Sequence, residues 1–106
     1  MSEERGPSYW DCAQAIEEIR KRRTHSIEVR LMPPMPRLDG RGWSTWIVGL
    51  HLRPMADLDG RECHVQASWG KGGACATMPA ALYRCVLHAL EQLDQAQRSA
   101  EQRAMF

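Results

Sequence analysis

The sequence predicts an α+β fold in which a three-stranded antiparallel meander carries two helices on one face, in the order α-β-β-β-α. Three observations lead there. Apolar residues recur every three or four positions near the N-terminus and again after Thr77, the period of an amphipathic helix. Between these stretches the period changes to two in three successive segments, as in strands with one buried face. The tetrapeptide Leu-Asp-Gly-Arg stands at 38–41 and again at 58–61, between those segments, and Asp-Gly supplies the positive φ that tight turns demand.

Ser8, with Asp11 three positions on, makes a capping-box start with Asp in place of the usual Glu or Gln, so the first helix begins near Tyr9. Cys12, Ile16 and Ile19, with Ala13 and Ala15 beside them, share one face to about Arg23, while Glu17, Glu18 and Arg20 point outward. From Ser26 onward Ile27, Val29 and Leu31 alternate with Glu28, Arg30 and Met32, which predicts a first strand with its odd positions buried. Pro33, Pro34 and Pro36 end it, because proline cannot donate to a ladder. The second strand is expected from about Trp43 to Arg53, with Trp46, Val48, Leu50 and Leu52 on one side. In the third, Cys63, Val65, Ala67 and Trp69 alternate with His64, Gln66 and Ser68. Gly70-Lys71-Gly72-Gly73 breaks it, Thr77 caps the second helix, and Pro79 falls in the first turn, where its missing N–H costs nothing. Leu82, Cys85, Val86, Ala89, Leu90 and Leu93 then face inward. Residues 1–7 read as a loose leader, 8–93 as one domain, and 94–106, which lack an apolar stripe, as a helical extension or a frayed tail.

A chain of 106 residues suits one domain, and 43% hydrophobic with 25% charged residues is the balance of a globular protein. There is no apolar run of about 18 residues, and Met1-Ser2-Glu3-Glu4-Arg5 lacks the basic patch and apolar stretch of a signal peptide. A cytoplasmic protein without membrane contact is expected. Cys12, Cys63, Cys75 and Cys85 are irregularly spaced, so free thiols filling the core are expected. No two cysteines are separated by the about two to four residues of a structural zinc site, so neither a metal on Cys63, His64, Cys75, Cys85 or His88 nor any other cofactor is expected. Nor does a motif place a nucleophile beside a base, and the chain reads as a non-enzyme; His51, His64 and Cys75 would have to converge for it to be otherwise.

Charge is unevenly spread. Residues 20–53 hold eight basic side chains (Arg20, Lys21, Arg22, Arg23, Arg30, Arg37, Arg41 and Arg53) against Glu28 and Asp39, a local +6, while the rest of the chain is −5 within a total of +1. Such asymmetry focuses an anionic partner onto one surface. Trp43 beside Arg41 offers a stacking platform of the kind that single-strand binders use, and Lys71 among glycines ahead of a helix suits a phosphate nest. Each has a plain alternative: Arg20 to Arg23 at a helix C-terminus are favoured by the macrodipole, Trp43 can cap the core edge, and the glycines can be a turn.

The α-β-β-β-α order over 8–93, with glycines before a helix near Thr77, resembles the double-stranded-RNA-binding domain. Where that family carries a basic cluster, 74–81 has no Lys or Arg, so the resemblance implies the fold and not duplex-RNA binding in the family's mode. Ala76-Thr77-Met78-Pro79-Ala80-Ala81-Leu82-Tyr83-Arg84-Cys85-Val86-Leu87, with Tyr9, Trp10 and Ala13, is similar to the helices of the phage ABA sandwich domain and implies phage or prophage origin. A small, single-domain, Arg-rich chain of that kind also resembles type I anti-CRISPR proteins. The resemblance implies a counter-defence inhibitor in the bacterial cytoplasm. Its basic lobe would engage nucleic acid, single- or double-stranded DNA before RNA, or the nucleic-acid-binding surface of a CRISPR effector complex. The alternative is a protein-interaction module, monomer or dimer, using the open sheet face around Ile47, His51 and His64.

Overall fold

The computed structural model of the protein describes residues 6–55 and 62–104. Its elements follow the expected order: helix α1 (Tyr9–Lys21), strands β1 (His25–Met32), β2 (Trp46–Pro54) and β3 (Cys63–Trp69), and helix α2 (Met78–Ala104). The strands form one antiparallel sheet in the order β1-β2-β3, with both helices on one side.

α1 begins as its capping box dictates. The Ser8 hydroxyl accepts the Asp11 N–H at 3.3 Å, and the Ser8 N–H donates to the Asp11 carboxylate at 2.8 Å. The helix stops at Lys21, earlier than expected, because Arg22 is the C-cap and Arg23 turns the chain with a φ of 55°. α2 is capped by Thr77, whose hydroxyl accepts the Ala80 N–H at 3.3 Å. It continues to Ala104, so of the two alternatives for the tail, residues 94–104 take the helical one.

β2 starts at Trp46 and not near Trp43, because the chain between β1 and β2 makes a small hairpin of its own. Pro36 bridges to Trp43, the Ser44 N–H donates to the Met35 carbonyl at 2.8 Å, and the Arg37 N–H donates to the Gly42 carbonyl at 2.8 Å. The first Asp-Gly turn lies at its tip: Gly40 takes a φ of 73°, and Asp39 accepts the Arg41 N–H at 3.0 Å. The second turn, at 58–61, lies outside the described residues, as do most of the leader and the end of the tail.

The core lies between sheet and helices. Cys12 and Ile19 of α1 and Ala81, Leu82, Cys85, Val86 and Ala89 of α2 meet Val48, Leu50 and Leu52 of β2 and Cys63 and Val65 of β3. Each large apolar side chain buried here contributes roughly 1.5–3 kcal/mol. The expected burial of β1 fails at two of its three positions. Val29 is 42% and Leu31 53% exposed, because α2 lies over β2 and β3 while α1 leans on α2 and touches β1 only lightly. Among the described residues no helix is long and apolar enough to cross a membrane.

Candidate partner-binding surface

The strand directions sort the basic residues into two groups. β1 runs from the end of α1 to the 35–44 hairpin, roughly 25 Å away along the strand. Arg20, Lys21, Arg22 and Arg23 lie at its start, where the pairing of Ser26 with Arg53 brings in Arg53. Arg37, Arg41 and Trp43 lie at its far end, and the 70–73 turn joins them there, since Trp46 pairs with Trp69 and Gly72 approaches Thr45. Arg30 stands between the groups, on the sheet face away from the helices. The +6 segment is therefore divided over two ends of the sheet.

At the α1 end acids answer most of the cations. Arg20 binds Glu17 at 2.9 Å, which holds the glutamate below its ordinary pKa and the guanidinium above its own. Lys21 approaches Glu18 at 3.7 Å, and Arg22 donates to Asp94 at 2.6 Å, tying the end of α1 to α2. Arg23 and Arg53 are exposed without an acidic partner among the described residues.

The hairpin end is chemically different. Its backbone is closed by its own hydrogen bonds, and its side chains point outward: Trp43 is 68% exposed, Leu38 fully so, and Met35 is exposed beside them. Arg37 approaches Asp39 at 3.5 Å. Arg41 and the exposed Lys71 meet no acidic partner among the described residues. The glycine turn carrying Lys71 spends part of its backbone on its own closure. Its Gly73 N–H donates to Gly70, Ala74 to the Ser68 hydroxyl and Cys75 to the Ser68 carbonyl, so these amides are taken. A Cβ at Gly73 would stand 2.8 Å from the Trp69 backbone, which is why the turn needs glycine there.

Comparison with known proteins finds no match for this chain, whether among protein-family models, curated proteins or solved structures.

The open sheet face has the residues that strand parity placed on it. Ser26, Glu28 and Arg30 of β1 pair with Arg53, His51 and Gly49 of β2, and His51 pairs with His64 of β3. The two imidazoles lie 5.2 Å apart, with Glu62 3.4 Å and Glu28 3.9 Å from His51. The third residue of the catalytic alternative does not join them, because Cys75 packs against the core on the helix side. All four cysteines are free. Burial raises the Cys12 and Cys63 thiols above their ordinary pKa, and burial with Cys75 nearby pushes Cys85 up to about 11. Cys63 instead donates to Gln92 at 3.1 Å. Such thiols stay protonated and poorly nucleophilic at neutral pH. Among the described residues no group of three or more side chains is placed to hold a metal.

The sequence marked Trp43, Arg37, Arg41 and Lys71 but missed Met35 and Leu38. Two apolar residues flanking a proline and an Asp-Gly turn carry no signal that they will stand exposed beside a tryptophan.

Proposed function

We propose that this chain is a non-catalytic binding protein that engages nucleic acid, DNA before RNA, through the 35–44 hairpin and the adjoining Lys71. We further propose that this contact serves a phage as an anti-CRISPR inhibitor. One observation carries the binding reading: an exposed Trp43 sits in one hairpin with Arg41, which meets no acidic partner among the described residues, and Lys71 adjoins it. An aromatic plane offers stacking to any base, and the cations attract the phosphates between bases. The α1 end has more cations, but carboxylates already occupy Arg20, Lys21 and Arg22. The counter-defence part rests on the phage-like wording of the two helices.

Fluorescence anisotropy with labelled single-stranded DNA, duplex DNA and duplex RNA at several salt concentrations tests the reading. Binding to DNA should weaken with salt, each phosphate contact contributing about 0.7–0.9 to the logarithmic slope. Trp43→Ala should weaken it roughly 5- to 150-fold, the equivalent of one stacked base. Glu at Arg20, Arg22 and Arg23 should matter far less. If that triple variant alone abolishes binding, the contact lies at the α1 end and the hairpin assignment fails.

The exposed Met35 and Leu38 favour a second reading, in which the hairpin enters the nucleic-acid-binding surface of a CRISPR effector. Salt-insensitive behaviour with all three nucleic acids, together with capture of purified effector that Leu38→Asp removes, would establish it over the first.

A further inference from the structure

The two edges of the sheet are not alike. The edge of β3 is partly covered, since Trp69 bridges to Cys75 in parallel and the Gly70 and Cys75 amides bond across that bridge. The edge of β1 has no such cover among the described residues. The Met55 N–H donates to the Thr24 carbonyl at 3.1 Å, so even-numbered positions of this strand turn their backbone toward β2. Pro54, which has no N–H, pairs with His25 in agreement with that parity. The N–H and C=O groups of Ile27, Val29 and Leu31 therefore face outward along an edge that contains no proline. On the helix side Val29 and Leu31 present apolar side chains that the helices leave uncovered, while Ile27 packs at the margin of the core.

We propose that a second copy of this chain occupies this edge, β1 pairing antiparallel with β1 about a two-fold axis at Val29. The strand is complementary to itself in that register. Val29 meets Val29 of the second copy, and Ile27 meets Leu31 in both directions, each as a hydrogen-bonded pair that uses the outward backbone groups. On the opposite face Glu28 meets Arg30 of the second copy, and Arg30 meets its Glu28. Glu28 and Arg30 already lie 3.1 Å apart within one strand, so the pair of copies closes a ring of four alternating charges. A shift by one residue about the axis would set Glu28 against Glu28 or Arg30 against Arg30 in some pairings, or bring inward-facing amides to the edge. The result is a six-stranded sheet with Ile27, Val29 and Leu31 of both copies forming one apolar strip between two helix layers. The interface is isologous, as a dimer with two-fold symmetry requires. It does not depend on the function proposed above, because neither the hairpin nor Lys71 takes part.

Sedimentation velocity of the full chain from about 1 to about 500 μM tests it, association being a matter of mass action. Twice the monomer mass of 12.1 kDa should appear as concentration rises. Glu28→Arg or Arg30→Glu alone sets like charges across the axis and should raise the dimer dissociation constant at least about tenfold, while the double exchange should restore it. Circular dichroism checks that each variant is folded. Should the single variants fail to fold, Val29→Cys replaces them: it places two cysteines at the axis, about 5.5 Å apart between Cα atoms, within disulfide range, so mild oxidation should give a covalent dimer that wild type does not. A monomer throughout the range overturns the proposal. So does a dimer insensitive to both charge reversals, or a Val29→Cys variant that stays uncrosslinked in a dimeric sample.

Discussion

β1 and β2 carry the same alternating pattern and end in different surroundings. Val48, Leu50 and Leu52 are wholly buried, while Val29 and Leu31, paired directly to Leu50 and Val48, remain about half exposed. Alternation in a sequence reports which side of the sheet a residue faces. Whether that side is dry depends on where the helices come to rest, and α2 rests over β2 and β3.

The contrast can be pressed experimentally. Leu50→Ala should cost about 2–5 kcal/mol in urea unfolding, since a cavity opens in the core beneath α2. The same wall is probed without mutation at high pH. Cys85, whose thiol lies 3.7 Å from the Val48 carbonyl, has its folded pKa raised to about 11, so its contribution is complete below the unfolded thiol's range near 9. As pH rises from about 9 to about 11 the unfolded chain loses that proton first, and stability should fall by roughly 2–3 kcal/mol. Alkaline melting curves that stay flat across that window would contradict the burial of Cys85. Ser8→Ala removes the cap of α1, the helix that fails to cover β1, and should cost about 1 kcal/mol in the same urea titration. Leu31→Ala, measured at concentrations too low for association, should cost less than about 1 kcal/mol. A loss comparable to that of Leu50→Ala would mean that β1 is covered after all.

Much of this fold was legible because its signals are local. The Ser8–Asp11 box, the Thr77 cap with Pro79 in the first turn, and the change of period between Arg23 and Ser26 are each decided within a few residues. The exposure of Val29 and Leu31 depends instead on a helix some fifty residues away in sequence, and no local pattern carries it. The hairpin at 35–44 was hidden for another reason. Trp43 stands close enough to Trp46 to read as the start of β2, yet a bridge to Pro36 draws it into a separate turn three residues before the strand begins. The +6 of residues 20–53 is a property of neighbours in sequence, whereas a strand running through the middle of the segment carries its two halves apart. Which cations stay free was also illegible, because the Arg22–Asp94 pair joins residues 72 positions apart.

The length of α2 affects how the molecule moves through water. Its 27 residues span about 40 Å, and some 16 Å of that helix continues beyond Leu93, the last of them packed against the core. The radius of gyration is 16.3 Å and the longest dimension 52 Å, against about 13 Å for a compact chain of this size. Such a shape has a larger hydrodynamic radius than its mass implies. On a gel-filtration column a single chain should elute early, close to where a rounder protein of nearly twice its mass would run.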